Sequence, residues 1–508
     1  MKTQVMNPFL PLNVYIPDGE PHVFGDRIYL FGSHDKEGGE RYCAESDYLG
    51  WSAPLSDLSD WRCDGVIYRP GQDPDYNPET NNDLYAPDVV QGNDGKYYLY
   101  YVMEHGADAG LWAAISVAVC DTPTGKYEYL GTLRNPDGSR FQRYLPGDPA
   151  VINDGGVIRL YYGWSLSLVA SAAHSQGGKV DHEAKMVPHE ALYQVEQMMF
   201  KRSLEDLQKE KLCLMGANAV VVEEDMLTIS SEPQRIVPGQ FQALGSGFER
   251  HSFYEASSIR KIGKLYYFIY SSQESHELCY ATSEYPDRDF CYRGTIISNA
   301  DVGYQGRKDE DRLNFSANNH GSLELINGQW YIFYHRHTHN STYSRQACAE
   351  PVVIEEDGTI QQVECTSCGL NGGPLMPAGV YAAPYVCNLT NGHMPHATNT
   401  VVNANIPYIT HEENDRYITN IQDGTLIGFK YFAFDGVCSL TVTTRGDAGT
   451  FIVAADEACR EVLAEISLVE SADWTTSETV VMKKTGTAAL YFKYCGAGKA
   501  DFLEFAFR

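Results

Sequence analysis

The chain of 508 residues carries a formal net charge of −28, and 12% of it is aromatic, with 35 Tyr. That length is too great for one ordinary core and holds two domains, one of them large. No basic stripe offsets the charge, which excludes a nucleic-acid backbone as partner and turns away acidic polysaccharides, leaving a neutral substrate.

The opening MKTQVMNPFLPLN has no sustained apolar core, so neither a secretory signal nor a membrane span is expected. The expected location is the cytoplasm, or outside the cell if a leader has been trimmed. Beyond it one short pattern returns five times: GDRIYLFGS from Gly25, GKYYLYYV from Gly95, GVIRLYYG from Gly156, GKLYYFIYS from Gly263 and GQWYIFYH from Gly328. A Gly-containing turn followed by aromatic and β-branched residues reads as the second strand of a hairpin. Near the start of each partner strand stands a polar residue, Glu20, Asp88, Asp148, Glu255 and His320 in turn. The neighbours repeat as well, in EPHVF, APDVV, DPAVI and EASSI, which argues against ordinary solvated strand starts. Five such hairpins imply a repeat architecture, and radially arranged blades would aim the equivalent positions at one axis. The expected fold class is all-β: a five-bladed β-propeller over residues 1–375 followed by a C-terminal β-sandwich of jelly-roll type over 376–508.

Between the third and fourth repeats, LYQVEQMMFKRSLEDLQKEKL from Leu192 to Leu212 changes to helix-favouring residues with apolar positions at helical spacing. A helical insert over about 186–214 is predicted on the rim, where it narrows the mouth of a site, contacts a neighbour or simply fills space. Gly and Pro dominate CGLNGGPLMPAGVYAAP, Cys368 to Pro384, where the repeat ends. Short alternating strands follow, among them GFKYFAFDG, SLTVTTRG, FIVAAD and ALYFKYCG, at the turn spacing of a sandwich. Thirteen scattered cysteines read as free thiols, and the lone Cys365-x-x-Cys368 pair lacks the second ligand pair of a metal site. Neither a nucleotide-binding glycine loop nor a catalytic serine elbow is present.

Two opposed carboxyl groups are the minimum for glycoside hydrolysis, one protonating the leaving oxygen and the other activating water or attacking directly. A third carboxylate nearby raises the pKa of the acid by like-charge repulsion. Glu20, Asp148 and Glu255 offer those three roles.

Four segments in this order resemble glycoside hydrolase family 43, five-bladed propeller enzymes that cleave arabinofuranosides and xylosides with inversion: NPFLPLNVYIPDGEPHVFGDRIYLFGSHD, LPGDPAVINDGGVIRLYYG, FYEASSIRKIGKLYYFIYSS and NNHGSLELINGQWYIFYHRH. The resemblance, over about residues 7–360, implies a general acid at Glu255, an acid-tuning carboxylate at Asp148 and a general base in the first segment. It also implies that His320 on the axis helps bind a metal ion, which gives the expectation of a structural calcium ion there and of no cofactor for the chemistry. Asp88 is similar to a residue bordering the sugar, in contact or support; His34, Asp35 and Arg345 are further candidates for the pocket, with surface or salt-bridge roles as the alternative. The family has Asp before Pro at the base, whereas this chain has Glu20 before Pro21. The shared Pro favours Glu20, and counting back from the next strand favours Asp18, which precedes Tyr29 by the offset that separates Asp148 from Arg159 and Glu255 from Tyr266. Glu20 is the preferred candidate. His335, His337 and His339 alternate along a strand and invite a metal reading.

The C-terminal PYITHEENDRYITNIQDGTLIGFKYFAF and ALYFKYCGAGKADFLEFAF resemble the sandwich of family 6 carbohydrate-binding modules, with sugar binding or simple packing left open and Phe429, Tyr431 and Phe434 read as core. The resulting expectation is a glycosidase acting on oligosaccharides or polysaccharides of plant type, most of all an α-L-arabinofuranosidase or β-xylosidase, without membrane partners. The alternatives are a non-catalytic saccharide-binding propeller, or a β-galactofuranosidase, endo-xylanase or arabinanase on the same scaffold. The residues do not indicate an oligomeric state.

Overall fold

Residues 3–103, 114–165, 197, 203–205, 214–273, 275–397, 402 and 404–507 are described by a computed structural model. Nineteen strands form five antiparallel sheets in chain order. The first holds β1 (Glu20–Phe24), β2 (Arg27–Phe31), β3 (Tyr48–Pro54) and β4 (Arg62–Tyr68), and the second β5 (Leu84–Gln91), β6 (Tyr97–Met103), β7 (Ile115–Cys120) and β8 (Glu128–Thr132). The third holds β9 (Ala150–Asp154), β10 (Val157–Trp164), β11 (Gly216–Val222) and β12 (Gln234–Pro238). The fourth holds β13 (Phe253–Ile262), β14 (Leu265–Ser272), β15 (Leu278–Ser283) and β16 (Cys291–Ile297), and the fifth β17 (Leu323–Ile326), β18 (Gln329–His337) and β19 (Arg345–Val352).

In four of these sheets the first two strands are joined by a two-residue turn whose glycine takes positive φ, as at Gly25 (φ 65°) and Gly263 (φ 63°). Such turns match the right-handed twist of the flanking strands, which is why the glycine recurs in each copy of the sequence pattern.

Five apolar clusters show how the sheets are arranged, because each is shared by two successive sheets. Phe31 and Tyr48 pack with Val89 and Leu99, Tyr100 with Leu160, Ala150 and Tyr161 with Phe268, Ile269 with Ile332, and Phe333 with Leu30. The last cluster closes the ring between the fifth sheet and the first, so the sheets are the blades of a five-bladed propeller. The fifth blade has three strands, and the amino-terminal segment lies along its open edge: Phe9 N–H donates to Ala347 O (3.3 Å), and Asn7 exchanges side-chain bonds with Ala349 (2.9 and 3.0 Å). Those bonds satisfy backbone groups that an open strand edge leaves unpaired.

The remaining strands are β20 (Gly379–Ala382), β21 (Asn388–Thr390), β22 (Tyr408–Glu412), β23 (Asp415–Ile421), β24 (Leu426–Gly446), β25 (Gly449–Ala454), β26 (Val462–Leu468), β27 (Ser471–Thr476), β28 (Val480–Cys495) and β29 (Ala500–Phe507). They enclose one core rich in Phe, including Phe429, Phe434, Phe451, Phe492 and Phe505. Long β24 pairs with β28 along most of its length and with β21, β27 and β29, which folds the sheet over that core. Phe429 and Phe434 are buried, and Tyr431 is half-buried with its hydroxyl donating to Glu364 (2.5 Å). Leu370 still belongs to the propeller's apolar clusters and Leu375 already to the sandwich core.

The two units meet through charged pairs. Buried Lys430 lies 2.6 Å from Glu364 and 3.5 Å from Asp301, Arg307 bonds Glu457 (2.7 Å), and Arg416 bonds Glu37 (2.7 Å). The helical insert lies outside the described residues apart from isolated positions. The cysteines that are described are free thiols, with Cys63 and Cys291 exposed. Among the described residues no helix is long and apolar enough to cross a membrane.

Candidate active site

Hairpin register determines which polar residues are equivalent. Asp18, Asp148 and His320 each stand six residues before the last residue of the first strand of their blade, at Phe24, Asp154 and Ile326. Glu255 stands seven before Ile262, and the extra residue is absorbed where the β13–β14 register shifts between Glu255 and Ser258. Glu20 is one layer further along, level with Ala150: it pairs with Phe31 as Ala150 pairs with Tyr161. The backbone is strained at this layer, with φ of 56° at Asp18, 41° at Asp148 and 67° at Ala256. Non-glycine residues in the left-handed region cost stability and persist where the surroundings over-determine them.

Polar bonds tie the start of each blade to the next. His22 Nε2 lies 2.6 Å from Asp88 Oδ1, Val151 N–H donates to Asp88 Oδ2 (2.7 Å), and Ala256 N–H donates to Asp148 Oδ2 (2.7 Å). Ser258 and Ser322 share a hydroxyl bond (2.6 Å), and a parallel bridge joins Gly19 to Gly321.

Glu255 is pushed up to about 8, first by burial, then by the charges of Asp148 and Asp18. Asp148 is also raised, chiefly by burial, against the pull of His320 and the Ala256 amide. Burial would lower His320, but Glu20, 3.8 Å away, and the charges of Asp148 and Asp18 push it up to about 9. Two acids and an imidazolium thus face a protonated carboxyl, which is the pattern that separates acid from base in paired-carboxylate sites.

The two candidates for the base have different surroundings. Glu20 is 1% exposed and bonded by Arg260 (3.1 Å); burial raises its carboxyl, but Arg260, His320 and His22 outweigh that and hold it low. Asp18 instead bears on Glu255 and Asp148. Arg345 donates to Asp18 Oδ1 (2.8 Å) through Nη1, while its Nε and Nη2 grip Asp35 (2.8 and 2.9 Å). Asp18 N–H donates to His335 Nδ1 (3.3 Å), and His335 Nε2 donates to Asn318 O (2.9 Å), so His335 is a neutral support; burial and Arg345 hold it far below the usual imidazole range.

Of the two roles expected for Asp88, contact or support, its bonds serve the second. It is 0% exposed, and Val89, Val151 and His22 occupy its carboxylate, which makes it a strut between blades. Asp35 is likewise buried, holding Arg345 and the Cys43 amide, and half-buried His34 is bonded to Asp47 (2.8 Å). Of the histidine series, His335 and His337 sit edge to face (5.3 Å between centroids), while His339 turns to His411.

Several neighbours escaped sequence reasoning. Tyr42 stacks on Arg345 (4.8 Å), Tyr254 packs on His276 (4.5 Å), and His276 meets His396 (4.8 Å) from the segment leading into the sandwich. Burial raises the hydroxyls of both Tyr42 and Tyr254, and ionisation of Glu255 would raise them further. Tyr254 adjoins Glu255 and could have been suspected; Tyr42 and His396 come from loops with no pattern.

No protein-family model matches the chain. Over 518 aligned positions it is 42% identical to a xylosidase/arabinosidase of Thermoclostridium stercorarium, covering 99% of each chain. It is 27% identical to a xylosidase/arabinosidase of Bacteroides ovatus, over 69% of this chain and 95% of that one. Among solved structures it resembles the GH43 β-xylosidase/α-arabinofuranosidase from a compost microbial metagenome, solved with xylotriose in a calcium-free form. That match has 25% identity and a TM-score of 0.50, over 72% of this chain and 98% of that one.

Proposed function

Because the chain belongs to glycoside hydrolase family 43, we propose that it removes xylose or arabinofuranose units from neutral saccharides by an inverting mechanism with Glu255 as acid and Asp18 as base. The reaction needs no cofactor: Glu255 gives its proton to the glycosidic oxygen as that bond breaks, and Asp18 takes a proton from the water that attacks the anomeric carbon from the opposite face. Asp148 tunes the acid. The observation that carries this reading is the equivalence of Asp18, Asp148 and Glu255 in hairpin register, together with the protonated state of Glu255 at neutral pH. Arg345 fixes Asp18 through Oδ1, which orients the carboxylate for the water.

Glu20 Oε1 and His320 Nε2 are buried, have no hydrogen-bond partner and lie 3.8 Å apart. Glu20 Oε1 would hold a calcium ion, with water completing the six to eight oxygen ligands calcium takes and a deprotonated His320 facing that water. Bound there, the ion would replace the positive charge that His320, pushed up to about 9, otherwise carries as an imidazolium, because only the neutral ring has a lone pair on Nε2.

The test is a panel of aryl xylosides and arabinofuranosides, with the first-formed anomer followed by NMR. Inverted product is expected, which requires acid and base about 6.5–9.5 Å apart. Retained product would overturn the assignment of Asp18 as a base.

A further inference from the structure

Three side chains from distant parts of the chain meet where the sandwich touches the propeller. Glu37 follows β2, His339 lies in the turn between β18 and β19, and His411 is on β22. His339 Nε2 and His411 Nδ1 are 2.9 Å apart, Glu37 Oε1 is 3.6 Å from His411 Nδ1, and all three donors lie within 4.8 Å of one another. We propose that Glu37, His339 and His411 bind a transition-metal dication of the zinc class, which clamps the sandwich to the propeller.

Donors bonded to one tetrahedral zinc at 2.0–2.2 Å stand about 3.4 Å from each other, and the two shorter separations bracket that value. Two imidazoles with one carboxylate are a zinc donor set and a poor one for calcium or magnesium, which prefer oxygen alone. The site also has an outer support. Thr338 Oγ1 donates to Ser344 O (3.1 Å), so its oxygen accepts the proton of His339 Nδ1 (2.8 Å). That places the His339 proton on Nδ1 and turns the Nε2 lone pair toward His411, as an oxygen acceptor does for a ligating histidine. Without a cation, His411 donates Nδ1–H to His339; with one, that proton moves to its Nε2 through solvent, which reaches the 34% exposed side chain.

Arg416 is the opposing group. Its Nε and Nη2 hold both Glu37 oxygens (2.9 and 2.7 Å), and Tyr15 donates to Oε1 (3.2 Å). An ion must share Oε1 with them, so removing the guanidinium should tighten binding. Bracing Glu37 also braces the active site. Gly38 N–H donates to Ser344 Oγ (2.7 Å), and these two loops carry Asp35 and Arg345, the grip on Asp18.

Zinc chloride titrated into the full chain by calorimetry at neutral pH tests this, with His411→Asn and His339→Asn as the variants. Asn tolerates the φ of 57° at His339, and melts without zinc verify folding. The exposed thiols and the His251, Glu277 and Cys279 group can also take zinc, so the comparison with the variants carries the result. In the native chain one equivalent should bind that both variants lose or bind at least tenfold more weakly, and Arg416→Gln should tighten it. Zinc should raise the native Tm by a few degrees and leave the variants unmoved. Equal stoichiometry and affinity in the native chain and both variants would overturn the proposal.

Discussion

Asp148 accepts the main-chain N–H of Ala256 over 2.7 Å, and Ala256 is the residue that follows Glu255. One short bond therefore sets the carboxylate of the third blade against the carboxyl of the fourth. Both backbones are in the left-handed region there, so the contact is held by the surrounding blades rather than by local preference. A carboxylate fixed in this place keeps a neighbouring acid protonated by repulsion, and Glu255 is pushed up to about 8 by burial first and by Asp148 next.

Asp148→Asn keeps an oxygen for the Ala256 amide and removes the charge. With the repulsion gone, Glu255 ionises at lower pH, so the alkaline limb of kcat/KM should move down from about 8. A profile whose alkaline limb stays in place would show that Asp148 does not tune this acid.

The two first-blade candidates predict opposite phenotypes. Asp18→Asn should lower kcat by about a thousandfold or more, as loss of a general base does, with a near-native melt. Glu20→Gln removes one charge-assisted bond from Arg260, which keeps Glu324 (3.9 Å) and the carbonyls of Leu323, Ile259 and Pro21, and should cost about 1.5–3 kcal/mol of stability, while kcat changes by less than about tenfold. Kinetics and denaturant melts on the two variants decide between them, and the reverse pattern would return the base to Glu20.

Glu255→Gln cannot protonate a leaving group. Its loss should be large, about 100- to 10,000-fold, on alkyl glycosides and natural oligosaccharides, and much smaller on aryl glycosides whose phenol leaves unprotonated. An equal loss on every leaving group would place Glu255 outside the proton transfer.

The propeller was legible because its signal is local: a glycine turn, then β-branched and aromatic residues, five times over. The placing of Glu255 beside Asp148 was legible for the same reason, since each stands a nearly fixed distance before its turn. For the base the sequence offered Glu20 and Asp18: Pro21 makes EPHVF look like DPAVI, whereas the register pairs Glu20 with Phe31 and sets Asp18 level with Asp148. For Asp88 the sequence left contact and support both open. Its environment is made by Val151 and His22, residues of other blades, and no run of sequence around Asp88 reports them. Arg260, which bonds Glu20, arrives from the fourth blade and gives no sign of it in its own strand.

Lys430 is where the sandwich commits to the propeller. Its ammonium group is buried between Glu364 (2.6 Å) and Asp301 (3.5 Å), and Asn388 also donates to Asp301 (3.1 Å). Removing the cation leaves two acids close together, one of them fully buried, and Lys430→Met should cost about 3–5 kcal/mol. Because buried ion pairs often gain little over well-packed neutral groups, the combined Lys430→Met, Asp301→Asn and Glu364→Gln variant should recover much of that loss. Denaturant unfolding of the full chain measures both. If Lys430→Met unfolds at the native denaturant concentration, the cluster does not hold the two units together and the junction must rest on its other pairs, Arg307 with Glu457 and Arg416 with Glu37.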